Sequence, residues 1–251
     1  MSQTNPPQLL SIVVPCYNEA GNVPLIVSRF AEVLATRQDV EVILVNNGSK
    51  DNSAEVFAQT LAAAADPRLR LHDVPVNKGY GYGIMSGLRA AKGDVLAWTH
   101  ADMQTDPQDV LTAFDVYQQA NNPMFFVKGK RRNRAAAEQF FTFGMQVVAS
   151  FALGVPLDDV NAQPKVFSRQ FFDQYLAKGA PDDFSLDLFA LYWAHKRGTI
   201  AEIPVYFRQR MHGEAKGGGS FRTRIKLIRR TWAYIFELSR SIRHSVGGKA
   251  A

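Results

Sequence analysis

An imidazole, a carboxylate and an amide recur at alternate positions in His100-Ala101-Asp102-Met103-Gln104. An extended chain would point all three to one side. Together they could hold a divalent cation against a diphosphate. A second constellation is basic, Lys128-Gly129-Lys130-Arg131-Arg132-Asn133-Arg134. Such a run is either a solvated face or a phosphate clamp, because arginine forks match phosphate oxygens. A third is the polar run Arg208-Gln209-Arg210-Met211-His212-Gly213-Glu214-Ala215-Lys216, followed by three glycines that make a hinge or linker. Asp187, near the start of a predicted helix, either complements the helix dipole or serves as a general base.

These groups need a scaffold, and the hydrophobic pattern supplies one. Val95 to Trp98 is a continuous apolar run suited to a strand covered on both faces. Pro107 suits the first turn of the next helix, to Ala120, with Asp106 as its N-cap. Further strands are expected at Leu10–Pro15, Glu41–Val45, Leu69–Val74, Met124–Gly129 and Thr199–Phe207. Helical spacing marks Val23 to Thr36, a helix capped by Ser53 and running to about Ala65, and one from the Gly-rich Asn77–Gly83 to about Ala91. An amphipathic helix is expected from Phe184 to Lys196. Strand and helix alternate, which predicts an α/β fold with a mostly parallel sheet and helices on both faces. Polar turns then share one sheet edge with His100, Asp102 and Gln104, where open α/β sheets bind ligands. No Gly-x-Gly-x-x-Gly follows the first strand and no Gly-Lys-Ser/Thr is present, which argues against a dinucleotide fingerprint and a P-loop.

The chain has 251 residues and 46% hydrophobic content, enough for a sizeable core. One cysteine, Cys16, excludes an intrachain disulfide framework. The net charge of +6 suits phosphorylated substrates or an anionic membrane better than nucleic acid, because the basic residues sit beside apolar runs and no recognition motif is seen. Met1 to Gln8 has no signal-peptide pattern. The uncharged run Phe140–Pro156 contains Thr142, Gln146 and Ser150, which favours a core or membrane-interface helix over a spanning one. In the tail, Phe221, Ile225, Ile228, Trp232, Ile235, Phe236 and Ile242 interleave with arginine and lysine, as in a basic amphipathic helix.

Val14-Pro15-Cys16-Tyr17-Asn18-Glu19, Val45-Asn46-Asn47-Gly48-Ser49-Lys50-Asp51, Asn77-Lys78-Gly79-Tyr80-Gly81 and His100-Ala101-Asp102-Met103-Gln104 resemble, in order and spacing, the family 2 glycosyltransferases. Within them the chain looks most like the dolichyl- or polyprenyl-phosphate sugar transferases. The resemblance implies a GT-A fold, a nucleoside-diphosphate sugar donor and a divalent metal, Mn²⁺ or Mg²⁺. It implies that Pro15, Tyr17, Glu19, Asn46, Lys78, Ala101 and Asp102 line the donor pocket. Asn46 stands where the family usually has an aspartate that contacts the base. His100, Asp102 and Gln104 are the implied metal ligands, with His100 replacing the usual aspartate; Mn²⁺ tolerates nitrogen ligands better than Mg²⁺. Arg131, Arg134, Arg210 and Lys216 are the implied acceptor-phosphate clamp, with Lys128 and Lys130 as helpers. Asp102, Arg131 and Asp187 are the expected catalytic residues. Asn161-Ala162-Gln163-Pro164 departs from the family's commoner Thr/Ser-Gly-Phe-Arg.

The expected organisation is a tail at 1–9, a GT-A domain at 10–216 with donor half 10–130 and acceptor half 131–216, then a Gly hinge and basic amphipathic helix at 217–251. The expected function is inverting transfer from a UDP- or GDP-sugar to a polyprenyl phosphate by a cytoplasmic enzyme peripheral at the inner membrane face, alone or with a membrane partner subunit. One alternative is transfer to a saccharide or lipid hydroxyl in surface-polysaccharide synthesis, with Asp187, Asp158 or Asp159 as base. Another is a non-catalytic membrane-surface adaptor.

Overall fold

The computed structural model describes residues 8–132, 150–208, 229, 232–236 and 238. A seven-stranded sheet runs in the order β3-β2-β1-β4-β6-β5-β7. Its strands are β1 (Leu10–Cys16), β2 (Val40–Asn47), β3 (Leu69–Val74), β4 (Val95–Trp98), β5 (Phe125–Arg131), β6 (Lys165–Ser168) and β7 (Thr199–Val205). Helices α1 (Val23–Val33), α2 (Ser53–Ala64), α3 (Tyr80–Ala90) and α4 (Pro107–Ala120) link the first five strands, and α5 (Leu186–Arg197) precedes β7. This is the expected mostly parallel α/β architecture. Alternation along the strands splits the core. Ile12, Val14, Leu44, Ala97, Val127 and Val166 pack with Phe30, Phe57 and Phe114 of α1, α2 and α4. The opposite face carries Trp98, Phe126 and Phe167, whose rings meet at 5.4–5.5 Å. There α3 lies so close that a side chain on Gly87 would meet Val13 Cγ1 at 2.5 Å.

β6 is the strand that periodicity did not announce. It is four residues long, and its Val166-Phe167 core is bounded by Lys165 and Ser168. It is antiparallel to both β4 and β5, whereas β1, β2, β3 and β4 are mutually parallel, as are β5 and β7. Three local expectations also change. Asn52, not Ser53, occupies the cap position of α2; Ser53 is its first residue, and its N–H and hydroxyl both donate to Asp51 Oδ1, at 3.1 and 2.6 Å. α5 is buried continuously from Leu186 to Tyr192, so it is a core helix rather than an amphipathic one. β7 stops at Val205. Asp106 does cap α4, accepting the Gln108 N–H at 3.0 Å.

Met1–Asn133 and Asn161–Gly213 form one compact unit; Arg134–Val160 and Glu214–Ala251 form a second. Within the second unit, Asp158 is exposed and Asp159 buried, and Ser150 Oγ accepts the Leu157 N–H at 2.9 Å. Trp232–Phe236 is helical, with Ile235 buried and Phe236 exposed. Most of the apolar run at 140–156 and of the basic tail lies outside the described residues. No helix among the described residues is long and apolar enough to cross a membrane.

Candidate active site

Strand direction decides which residues can meet. β1 to β4 are parallel, so their carboxyl ends share an edge. β6 runs the other way, so its amino end lies there; Lys165 is the register partner of Trp98. β5 and β7 are antiparallel to β6 and so return Arg131 and Val205 to the same edge. One edge thus gathers the turns after β1 to β4, the start of β6 and the basic ends of β5 and β7. It is the edge on which open α/β sheets bind ligands.

The first two turns brace one another. Asn18 N–H donates to Ser49 Oγ at 3.1 Å, Lys50 N–H to Asn18 Oδ1 at 2.8 Å, and Glu19 N–H to Ser53 Oγ at 3.2 Å. Glu19 Oε2 accepts from Asn22 Nδ2 at 2.6 Å. Pro15 and Tyr17 are half-buried here. Asn46 Nδ2 donates to Asp73 Oδ1 at 3.0 Å. Lys78 Nζ lies 4.8 Å from the Tyr82 ring centroid. The Gly-rich turn serves a close approach: a side chain on Gly79, whose φ is +138°, would collide with the Asp182 carbonyl. Tyr82 N–H donates to that same carbonyl at 3.0 Å.

The segment after β4 is not extended. β4 ends at Trp98, and Met103 has φ +58°, so the alternate-residue placement of His100, Asp102 and Gln104 does not hold. The turn has a local cause. Asp102, only 6% exposed, accepts the Gln104 N–H at 3.1 Å. Ala101 is buried beside it. His100 Nε2 lies 3.0 Å from the Tyr80 hydroxyl. Gln104 Nε2 donates to the Arg208 carbonyl at 3.4 Å, and Arg208 N–H donates back to the Gln104 carbonyl at 2.8 Å. Among the described residues no three His, Cys, Asp or Glu side chains converge as a metal cage. The donor set fits a hard divalent cation in one way: Asp102 would supply a carboxylate, and the remaining ligands would have to come largely from a bound substrate.

Behind Asp102 lies a buried polar chain that the sequence motifs did not announce. Gln163 Nε2 donates to Asp187 Oδ1 at 2.9 Å and to the Tyr80 hydroxyl at 3.4 Å. Burial, and then the Asp187 charge, hold the Tyr80 phenol well above its usual range, so it stays neutral. Lys165 Nζ pairs with Asp187 Oδ1, donates to the Ala162 carbonyl at 3.2 Å and sits 5.4 Å from the Trp98 ring centroid. Asp187 is therefore half of a buried ion pair. The signal that could have found Lys165 is weak: one charge directly before the apolar pair Val166-Phe167 of β6.

The basic residues divide. Lys128 and Lys130 both pair with Glu202 of β7, at 3.0 and 2.9 Å, which makes them sheet-edge ion pairs. The Arg131 guanidinium lies 5.2 Å from the Phe207 ring centroid. Arg208 pairs with Asp106 at 3.1 Å, and Arg29 grips the same carboxylate at 3.0 Å. Arg134, Arg210 and Lys216 lie outside the described residues.

Asp109, in the first turn of α4, is raised to about 6 by burial and by the Asp106 charge. A raised carboxyl favours the protonated folded form, so its ionisation costs stability as pH rises from about 4 through 6. Asp109→Asn is expected to raise the melting temperature at pH 7.5 and to leave it unchanged at pH 4; thermal melts at the two pH values check this.

Residues 11–176 match the family described as Glycosyl transferase family 2. The chain belongs to that family. An undecaprenyl-phosphate 4-deoxy-4-formamido-L-arabinose transferase of Aeromonas hydrophila subsp. hydrophila is 30% identical over 217 residues, covering 84% of this chain and 63% of that protein. A transferase of the same name from Pseudomonas fluorescens is 28% identical, covering 84% and 61%. The chain thus spans less than two thirds of these curated relatives' length. Glucosyl-3-phosphoglycerate synthase of Mycobacterium tuberculosis, in complex with Mn²⁺, UDP-glucose and phosphoglyceric acid, superposes with TM-score 0.72 at 17% identity, covering 92% of this chain and 80% of that one. The same enzyme with UDP gives 0.70 over 92% and 80%, also at 17% identity. The family 2 membership and this shared fold establish the expected GT-A architecture.

Proposed function

We propose that this family 2 glycosyltransferase moves a sugar, with inversion, from a UDP- or GDP-sugar to a polyprenyl phosphate at the cytoplasmic face of a membrane. The observation that carries the reading is the shared edge: Arg131 and Arg208 leave β5 and β7 at the edge where Asp102 and the donor turns leave β1 to β4. The names of the undecaprenyl-phosphate relatives support the acceptor. The neighbour complexed with Mn²⁺ and UDP-glucose supports the donor and the metal. The basic tail supports an anionic membrane surface, reached directly or through a membrane partner subunit.

Pro15, Tyr17, Glu19, Asn46, Lys78 and Ala101 form the donor side. An acceptor phosphate oxygen bonds to the anomeric carbon as the bond to the donor diphosphate breaks, and the diphosphate leaves with the electron pair. A phosphate is already an anionic nucleophile, so orientation and charge neutralisation matter more than a base. Arg131 orients that phosphate; for Arg134, Arg210 and Lys216, outside the described residues, the same role is an expectation from sequence alone. Asp102, with His100 and Gln104 beside it, would hold a divalent cation, which when bound would supply positive charge for the leaving diphosphate. Asp187, paired to Lys165 and 2% exposed, positions the core behind the site rather than taking a proton. The test is transfer of labelled hexose from UDP- and GDP-sugars to polyprenyl phosphate in vesicles with Mn²⁺. Labelled lipid phosphate-sugar is the expected product; turnover only with a saccharide or lipid hydroxyl would overturn the acceptor.

A further inference from the structure

The donor edge carries a hydrogen-bonding pair that lies two strands away from Asp102. Asn46 of β2 and Asp73 of β3 are register partners, and Asn46 Nδ2 donates to Asp73 Oδ1 at 3.0 Å. The amide is oriented from two sides. Its Oδ1 accepts the Ser49 N–H at 3.3 Å, and only its NH₂ can face a carboxylate. Asn46 is 8% exposed, whereas Asp73 is open to solvent. The pairing uses one Asn46 N–H and one Asp73 oxygen. The second Asn46 N–H and Asp73 Oδ2 have no hydrogen-bond partner among the described residues, although the Asp73 charge also acts on His72. An aspartate at position 46 would set two carboxylates at this 3.0 Å spacing, where both cannot comfortably ionise. Asn46 and Asp73 are therefore one arrangement, with its carboxylate on β3.

We propose that this pair reads the nucleobase of the donor, with Asp73 as the specificity-determining residue. It offers an N–H donor beside an anionic acceptor. The complementary edge is a carbonyl next to a ring N–H: O4 and N3–H of uracil, or O6 and N1–H of guanine. Cytosine and adenine present the inverse, an amino group beside a ring-nitrogen lone pair, and that lone pair would face the Asp73 carboxylate. A site whose buried and charged groups go unpaired rejects such an analogue strongly. The inference rests on the sugar-transferase reading and deepens it: the donor is a uridine or guanosine diphosphate sugar, and cytidine and adenosine donors are excluded.

The test is calorimetric titration of the full chain, with Mn²⁺, using UDP, GDP, CDP and N3-methyl-UDP. Asp73→Asn is compared with the unaltered protein. UDP or GDP is expected to bind at least about tenfold more tightly than CDP, and N3-methyl-UDP, which lacks the ring N–H, to behave like CDP. Asp73→Asn should weaken the preferred nucleotide roughly 10- to 100-fold and leave CDP where it was. Its melting temperature should not change, because Asp73 is exposed. CDP binding as tightly as UDP and GDP, or Asp73→Asn leaving the preferred nucleotide unaffected, overturns the assignment while sugar transfer still stands. Absence of binding by any of the four overturns both.

Discussion

Asp102→Asn is expected to remove metal-dependent nucleotide binding and to cut sugar transfer by about two to three orders of magnitude. The substitution keeps the size of the side chain and an oxygen that can accept the Gln104 N–H, now at 3.1 Å. The turn after β4 should therefore survive, and only the charge is lost. That charge matters because the site has no preformed cage: among the described residues no three His, Cys, Asp or Glu side chains converge. Asp102 would then be the one carboxylate available to hold a cation beside the donor, so its charge would be needed for metal-dependent binding. His100→Ala should cost less than Asp102→Asn, because the His100 Nε2 already faces Tyr80 at 3.0 Å. Calorimetry of UDP and GDP with and without Mn²⁺, beside the transfer assay, measures both variants. Manganese-enhanced binding that persists in Asp102→Asn would place the metal elsewhere.

The same turn shows how far sequence can be read. Val95 to Trp98, Asp106 and Pro107 were legible because burial, capping and proline geometry act locally. The orientation of His100 and Gln104 was not, because Met103 adopts φ +58° and their partners, Tyr80 and Arg208, lie 20 and 104 residues away. β6 escaped for a related reason. Four residues carry too little periodicity, and a strand that runs against its neighbours is specified by pairing with β4 and β5 rather than by its own pattern. Missing β6 also hid Lys165, and without Lys165 Asp187 reads as a helix-dipole residue or a base.

Breaking the Lys165–Asp187 pair is expected to have the largest effect on stability. Across β4, β6, β5 and β7 one register row reads Trp98, Lys165, Lys128, Glu202. Two buried lysines stand side by side, and like charges opposite one another destabilise a sheet unless each has its own partner. Glu202 answers Lys128 at 3.0 Å, and Asp187 answers Lys165. Asp187→Asn leaves Lys165 charged, fully buried and next to Lys128, at a cost of about 3–5 kcal/mol. For a chain of this size that is a fall of roughly 10 °C in melting temperature. Lys165→Met/Asp187→Asn removes both charges and keeps an amide oxygen for the Gln163 Nε2, so most of the loss should return. The double variant also separates two roles for Asp187. If it positions Gln163 and Tyr80 behind the site, transfer recovers together with stability. If it is the base for a hydroxyl acceptor, melting recovers and transfer does not, since neither replacement can take a proton.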